Sequence, residues 1–108
     1  MKSKRSKACD IPPPVKQRVF ERDDGLCIIC GKPGIPNAHF IRRSQGGLGI
    51  EENVVTLCPI CHTRFDDGWG REEIETKIRE YLMYMYPNWN EKDLYYDKWR
   101  IYGTKEDV

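Results

Sequence analysis

The sequence predicts a small α+β domain, and three observations carry that expectation. The chain has 108 residues, the length of one domain. Two Cys-x-x-Cys pairs, Cys27/Cys30 and Cys58/Cys61, are separated by 27 residues. Around them, short β-branched runs alternate with stretches of helical spacing. A chain this short buries a modest fraction of its surface, so a bound metal is a natural supplement to its core.

Charge excludes little. Eighteen Lys and Arg stand against 17 Asp and Glu, a net charge of +1 that argues neither for nor against nucleic acid. The distribution is more telling, with Lys2, Lys4, Arg5 and Lys7 near the start and Arg42 and Arg43 beside a histidine. No hydrophobic signal segment follows Met1, and no apolar run is long enough to span a bilayer. The expected setting is therefore soluble and intracellular, where thiols stay reduced and paired cysteines serve as metal ligands.

Two regions are expected: a mobile basic tail over residues 1–10, and one domain over 11–108. The domain's core covers about 25–68, and a C-terminal helix and aromatic tail cover 71–108. The tail is either solvated or a phosphate-seeking arm. Cys9 reads as a free thiol without a role.

Pro12, Pro13 and Pro14 suit a first helical turn, and Val15, Val19 and Phe20 follow at helical spacing. This predicts a helix over 13–22 that lays an apolar stripe on the metal site and stops at Asp23-Asp24-Gly25. Leu26 to Lys32 reads as a knuckle, and Gly31 permits its tight turn. Ala38 to Ile41 is a short strand carrying His39. Ser44 to Gly49 is turn material within a long, flexible loop, and Val54 to Leu57 is a β-branched second strand that closes an antiparallel hairpin.

Pro59 then opens a short helix running to about Asp66, with Cys58 near its cap. A longer helix follows from Arg71 to about Tyr86, with Ile74, Ile78, Tyr81, Leu82 and Met85 on one stripe. Pro87 ends it. The aromatic tail holds Trp89, Tyr95, Tyr96, Trp99 and Tyr102, and is expected to pack on this helix rather than to stack on bases.

Cys27, Cys30, Cys58 and Cys61 offer four soft ligands in two close pairs, which suits tetrahedral Zn²⁺. Iron in a rubredoxin-like site and two disulfides are the competing readings. With four thiolates the ion is closed to substrate and its role is structural.

A second site is built from His39, Asn53, His62 and Asp66. Hydrolysing a phosphodiester requires an activated water, a Lewis acid on the phosphate and stabilisation of the leaving oxygen. An imidazole suits proton abstraction near neutrality, and His39 is the candidate. His62 and Asp66 are four residues apart, one turn above each other on a helical face, and offer a nitrogen and a carboxylate to a divalent ion. Arg42 and Arg43 carry forks that match phosphate oxygens.

AHFIRRSQGG resembles the first half of an HNH motif, and GIEENVVTLCPICH the second half. The resemblance to HNH endonucleases covers about residues 25–68, and the chain is similar to small stand-alone HNH proteins of bacteriophages and prophages, commonly encoded near DNA-packaging genes. It implies a ββα-metal core and a metal-dependent activity that nicks or cuts DNA, with a divalent ion such as Mg²⁺, Mn²⁺ or Ni²⁺. No element resembles a recognition helix with several base-reading side chains, so low sequence specificity is expected.

In that pattern His39 activates water, Asn53 holds the loop or helps to ligate metal, and His62 binds metal. Asp66 matches a position often occupied by a second histidine. The implied partners are DNA and phage terminase or packaging proteins, and the implied location is the cytoplasm of a bacterial host. One departure stands out: Ala38 precedes the base, where the pattern usually has a metal ligand. The alternative is a catalytically degenerate, zinc-stabilised module that binds DNA or protein.

Overall fold

A computed structural model describes residues 3–97. Four helices, α1 (Lys4–Cys9), α2 (Pro13–Arg22), α3 (Pro59–Asp67) and α4 (Arg71–Met85), surround a two-stranded antiparallel sheet of β1 (Ile35–His39) and β2 (Val54–Leu57). Trp99 and Tyr102, expected in the aromatic tail, lie outside the described residues. Among the described residues no helix is long and apolar enough to cross a membrane.

The hairpin pairs Ile35 with Leu57, Ala38 with Val55 and His39 with Val54, with a register break between Ile35 and Ala38. Pro36 sits in that break, where a missing N–H costs the ladder nothing. Strand β1 thus begins earlier than expected and ends at His39. Beyond it the main-chain ladder is handed to a side chain: Phe40 N donates to Asn53 O at 2.7 Å, but Ile41 N donates to Asn53 Oδ1 at 2.8 Å.

Pro59 at the first turn and Gly68 in the left-handed C-cap (φ 85°) bound α3 as the sequence implies. Phe65 and Cys61 of α3 and Ile74, Ile78 and Leu82 of α4 bury against Ala38, Phe40, Val55 and Leu57 to form the main core. Trp89 packs on this core, edge-on to Phe40 at 5.8 Å, and its Nε1 donates to Glu52 O at 2.8 Å. That is the packing role expected of it.

Three expectations need correction. Residues 4–9, read as part of a mobile tail, form α1, capped by the Ser3 hydroxyl and fastened by contacts remote in sequence. Arg5 Nη2 donates to Ser44 O at 3.0 Å and Gly49 N donates to Ala8 O at 3.0 Å. The loop after β1, read as flexible, is pinned: Gly46 to Gly49 are buried, and Leu48 N donates to Leu94 O at 2.8 Å. Helix α2 packs Val15 and Val19 on Val54 in a separate small core, away from the cysteines, and Phe20 is exposed and lies against Gly25.

Candidate metal centre and catalytic cleft

The four cysteines meet. Their Sγ atoms all lie within 4.8 Å of one another, and Cys30 Sγ is 3.5 Å from Cys58 Sγ. A tetrahedral ion with Zn–S bonds of ~2.3 Å would set the sulfurs ~3.8 Å apart, so the cage has the right size. The knuckle brings Cys27 and Cys30 together through the Gly31 turn (φ 80°), whose N–H bonds back to Cys27 O at 2.9 Å. The α3 cap contributes Cys58 and Cys61, the Cys58 sulfur accepting from Cys61 N at 3.4 Å.

Burial alone would raise the Cys58 thiol, but the Cys61 amide and the neighbouring sulfurs lower it to about 7. Of the four, Cys27, Cys58 and Cys61 are buried and Cys30 is exposed. The donor set therefore fits one soft cation, held between the hairpin and α3.

His39, His62 and Asp66, three of the four residues expected to build the second site, also converge. His39 and Asn37 from β1, Arg42, Arg43 and Ser44 from the loop, and His62 and Asp66 from α3 line one cleft of about 340 Å³. His62 Nε2 lies 3.5 Å from Asp66 Oδ2, as the four-residue helical spacing dictates. The two imidazoles thus open on the same space. His39 Nε2 lies 2.8 Å from the backbone carbonyl of Cys9. Burial holds the His39 imidazole below its ordinary 6.5, a shift opposed by the hydrogen bond to Cys9 and reinforced by the Arg43 charge.

Asn53 does not enter the cleft. It is fully buried, and Nδ2 donates to Leu48 O at 2.8 Å and to Ile41 O at 3.2 Å while Oδ1 accepts from Ile41 N. Every polar atom of the amide is thus committed to the loop that follows His39, which places Asn53 as the loop holder and not as a metal ligand. Asn53→Ala is expected to cost about 1–3 kcal/mol for each buried partner left without a bond. Urea unfolding measures this, and a total loss below ~1 kcal/mol would contradict the assignment.

The two arginines have protein partners. Arg42 Nη2 donates to Asp66 O at 3.1 Å, and Arg43 Nη1 pairs with Asp10 Oδ1 at 2.9 Å. Ala38 is fully buried in the main core, one residue from His39 but facing the other way, as strand alternation requires. The position before His39 thus supplies no donor to the cleft.

Sequence reasoning missed three neighbours of the site: the Cys9 carbonyl, Asn37, and Lys16 of α2. A second cleft of about 550 Å³ meets the first at Asn37, His39 and Arg43, and Lys16 lines it with Asp10, Pro12 and Pro13. Asn37 was legible as the residue two before His39 on the same strand face. Nothing local marks the other two.

Comparison with known proteins agrees with this geometry. The family model described as HNH endonuclease matches residues 27–67, which takes in both cysteine pairs and the cleft. The chain is 31% identical over 72 residues to a type IV methyl-directed restriction enzyme of Escherichia coli, EcoKMcrA. That match covers 57% of this chain and 26% of the enzyme, so the chain spans about a quarter of that relative. It is also 31% identical over 55 residues to Anaredoxin of Nostoc sp., covering 49% of this chain and 72% of that protein. With its hairpin, helix and cysteine cluster arranged as the motif requires, the chain belongs to the HNH endonuclease family.

Proposed function

We propose that the protein is a metal-dependent endonuclease that hydrolyses DNA phosphodiester bonds with low sequence specificity. The observation that carries this reading is the convergence of His39, His62 and Asp66 on one cleft rimmed by Arg42 and Arg43. His39 is the general base, kept neutral by burial at physiological pH and so ready to take a proton from water.

His62 and Asp66, whose Nε2 and Oδ2 lie 3.5 Å apart, would offer a nitrogen and a carboxylate oxygen to one divalent ion. Mg²⁺, Mn²⁺ or Ni²⁺ held by these two residues would supply Lewis acidity for the phosphate. Arg42 positions the DNA backbone, and Arg43 does so while it anchors α1. Zn²⁺ is the ion proposed for Cys27, Cys30, Cys58 and Cys61.

The finer setting, a phage- or prophage-encoded protein acting with terminase or packaging proteins in the host cytoplasm, is supported by the sequence resemblance.

Plasmid nicking with each divalent ion tests the reading. His39→Ala is expected to lose about 10²–10⁴-fold in rate with the thiolate-bound ion retained. Unchanged cleavage in that variant would remove His39 from the mechanism. The wild-type rate is expected to climb with pH and level off below neutrality, because the base is deprotonated above its lowered pKa. A profile still rising well above pH 7 would contradict that. DNA binding should weaken with salt, the slope of log affinity being about −0.9 per phosphate contact. The buried Ala38 supports a second reading, a degenerate binding module. DNA binding without cleavage under any ion would select it.

A further inference from the structure

We infer that Gly49 and α1 form a clamp that orients His39, with the Cys9 backbone carbonyl as the part that touches the ring. This rests on the nuclease reading of His39. A carbonyl only accepts, so at 2.8 Å the Nε2 of His39 must carry the hydrogen and donate it to Cys9 O. A neutral imidazole has one N–H, which leaves Nδ1 as the nitrogen with a lone pair. The clamp therefore chooses the proton-accepting atom as well as the ring's angle.

A helix of six residues is not stable alone, so α1 must be held by its tertiary contacts. One of these is at Gly49, whose N–H donates to Ala8 O at 3.0 Å. A Cβ on Gly49 would meet Asp10 O at 1.8 Å and Asp10 C at 2.4 Å. Both are backbone atoms, which cannot swing aside as a side-chain tip can. Even alanine must therefore push residues 8–11 away from the loop, and the Cys9 carbonyl moves with them. Arg43 to Asp10 and Arg5 to Ser44 fasten the same helix from the loop side. The Cys9 thiol is buried, and burial pushes it up, so the residue serves through its main chain. Gly49 and α1 are positioning elements.

The test uses the full chain labelled with ¹⁵N-histidine. His39 and His62 are its only histidines, so their ring nitrogens can be assigned one by one. In the wild type, long-range ¹H–¹⁵N spectra should show His39 as the Nε2–H tautomer. In Gly49→Ala the His39 tautomers should mix while His62 keeps its pattern. Cleavage should then fall about ten- to hundredfold in kcat with little change in KM.

Ala8→Pro, which breaks the last turn of α1 outside the core, should reproduce the tautomer change and covers the case in which Gly49→Ala does not fold. An Nδ1–H tautomer in the wild type, or an unchanged His39 pattern in a folded variant, would overturn the clamp. A wild type that shows the expected tautomer but cuts no DNA supports the clamp and rejects only the nuclease reading.

Discussion

Stripping the ion from the four-thiolate cluster is expected to unfold the centre of the protein. Binding of a structural ion by such a site contributes about 10–16 kcal/mol at neutral pH, and a domain's net stability is about 5–15 kcal/mol. The first number meets or exceeds the second, so little folded protein should survive a strong chelator. The geometry says where the loss would be felt. Cys27 and Cys30 belong to the knuckle before β1, and Cys58 and Cys61 to the cap and first turn of α3. An ion held there would therefore cross-link hairpin and helix.

His39 stands on one side of that link and His62 on the other, so cleft and fold should fail together. Circular dichroism during chelation, with elemental analysis for one tightly held ion per chain, measures this. Cys61→Ala, which removes a buried ligand at 4% exposure, should be more damaging than Cys30→Ala, which alters an exposed residue. A spectrum and melting temperature unchanged after complete metal removal would refute the structural role.

What was legible in the sequence was local. Pro59 and Gly68 fix the ends of α3 because each acts through its own φ, and four-residue spacing puts His62 over Asp66 whatever surrounds them. Cysteine spacing implied the cage for the same reason. What escaped reading depends on contacts between distant residues. Helix α1 is polar and short, and contacts with His39, Arg43, Ser44 and Gly49, some thirty to forty residues on, make it fold. The glycine-rich loop looked loose because glycines lack side chains to pack. Yet Gly47 and Gly49 are there because backbone passes against them, a Cβ on Gly47 falling 1.7 Å from Ile41 O. Asp23 was read only as a helix stop, which it is, with no hint of the network it anchors.

Replacing Asp23 by alanine is expected to be the most damaging change outside the metal centre. Its carboxylate is fully buried, accepts from Arg22 Nε at 2.7 Å and Nη2 at 3.0 Å, and takes Thr56 N at 2.9 Å and the Tyr81 hydroxyl. Arg22 also donates to Glu51 O, Val54 O and Tyr86 Oη, and lies 5.3 Å from the Tyr81 ring centre. Burial and the adjacent carboxylate push the Tyr81 hydroxyl up to about 12, so it remains a donor across the physiological range. The network joins the end of α2 to β2 and α4.

Asp23→Ala would leave the Arg22 charge, with 8% of its side chain exposed, without its carboxylate. Breaking a buried pair this way costs about 3–5 kcal/mol. For a domain of this size that lowers the melting temperature by about 12 °C or more. Arg18→Ala offers the contrast, since the Arg18–Glu51 pair is similarly short at 3.0 Å but Arg18 is 53% exposed. Exposed pairs contribute about 0–1 kcal/mol, so that variant should melt near the wild type. Helix α2 begins at the second cleft's wall, so Asp23→Ala should also impair cleavage at temperatures well below its melting point. Equal melting temperatures for the two variants would show that burial gives this pair no special weight.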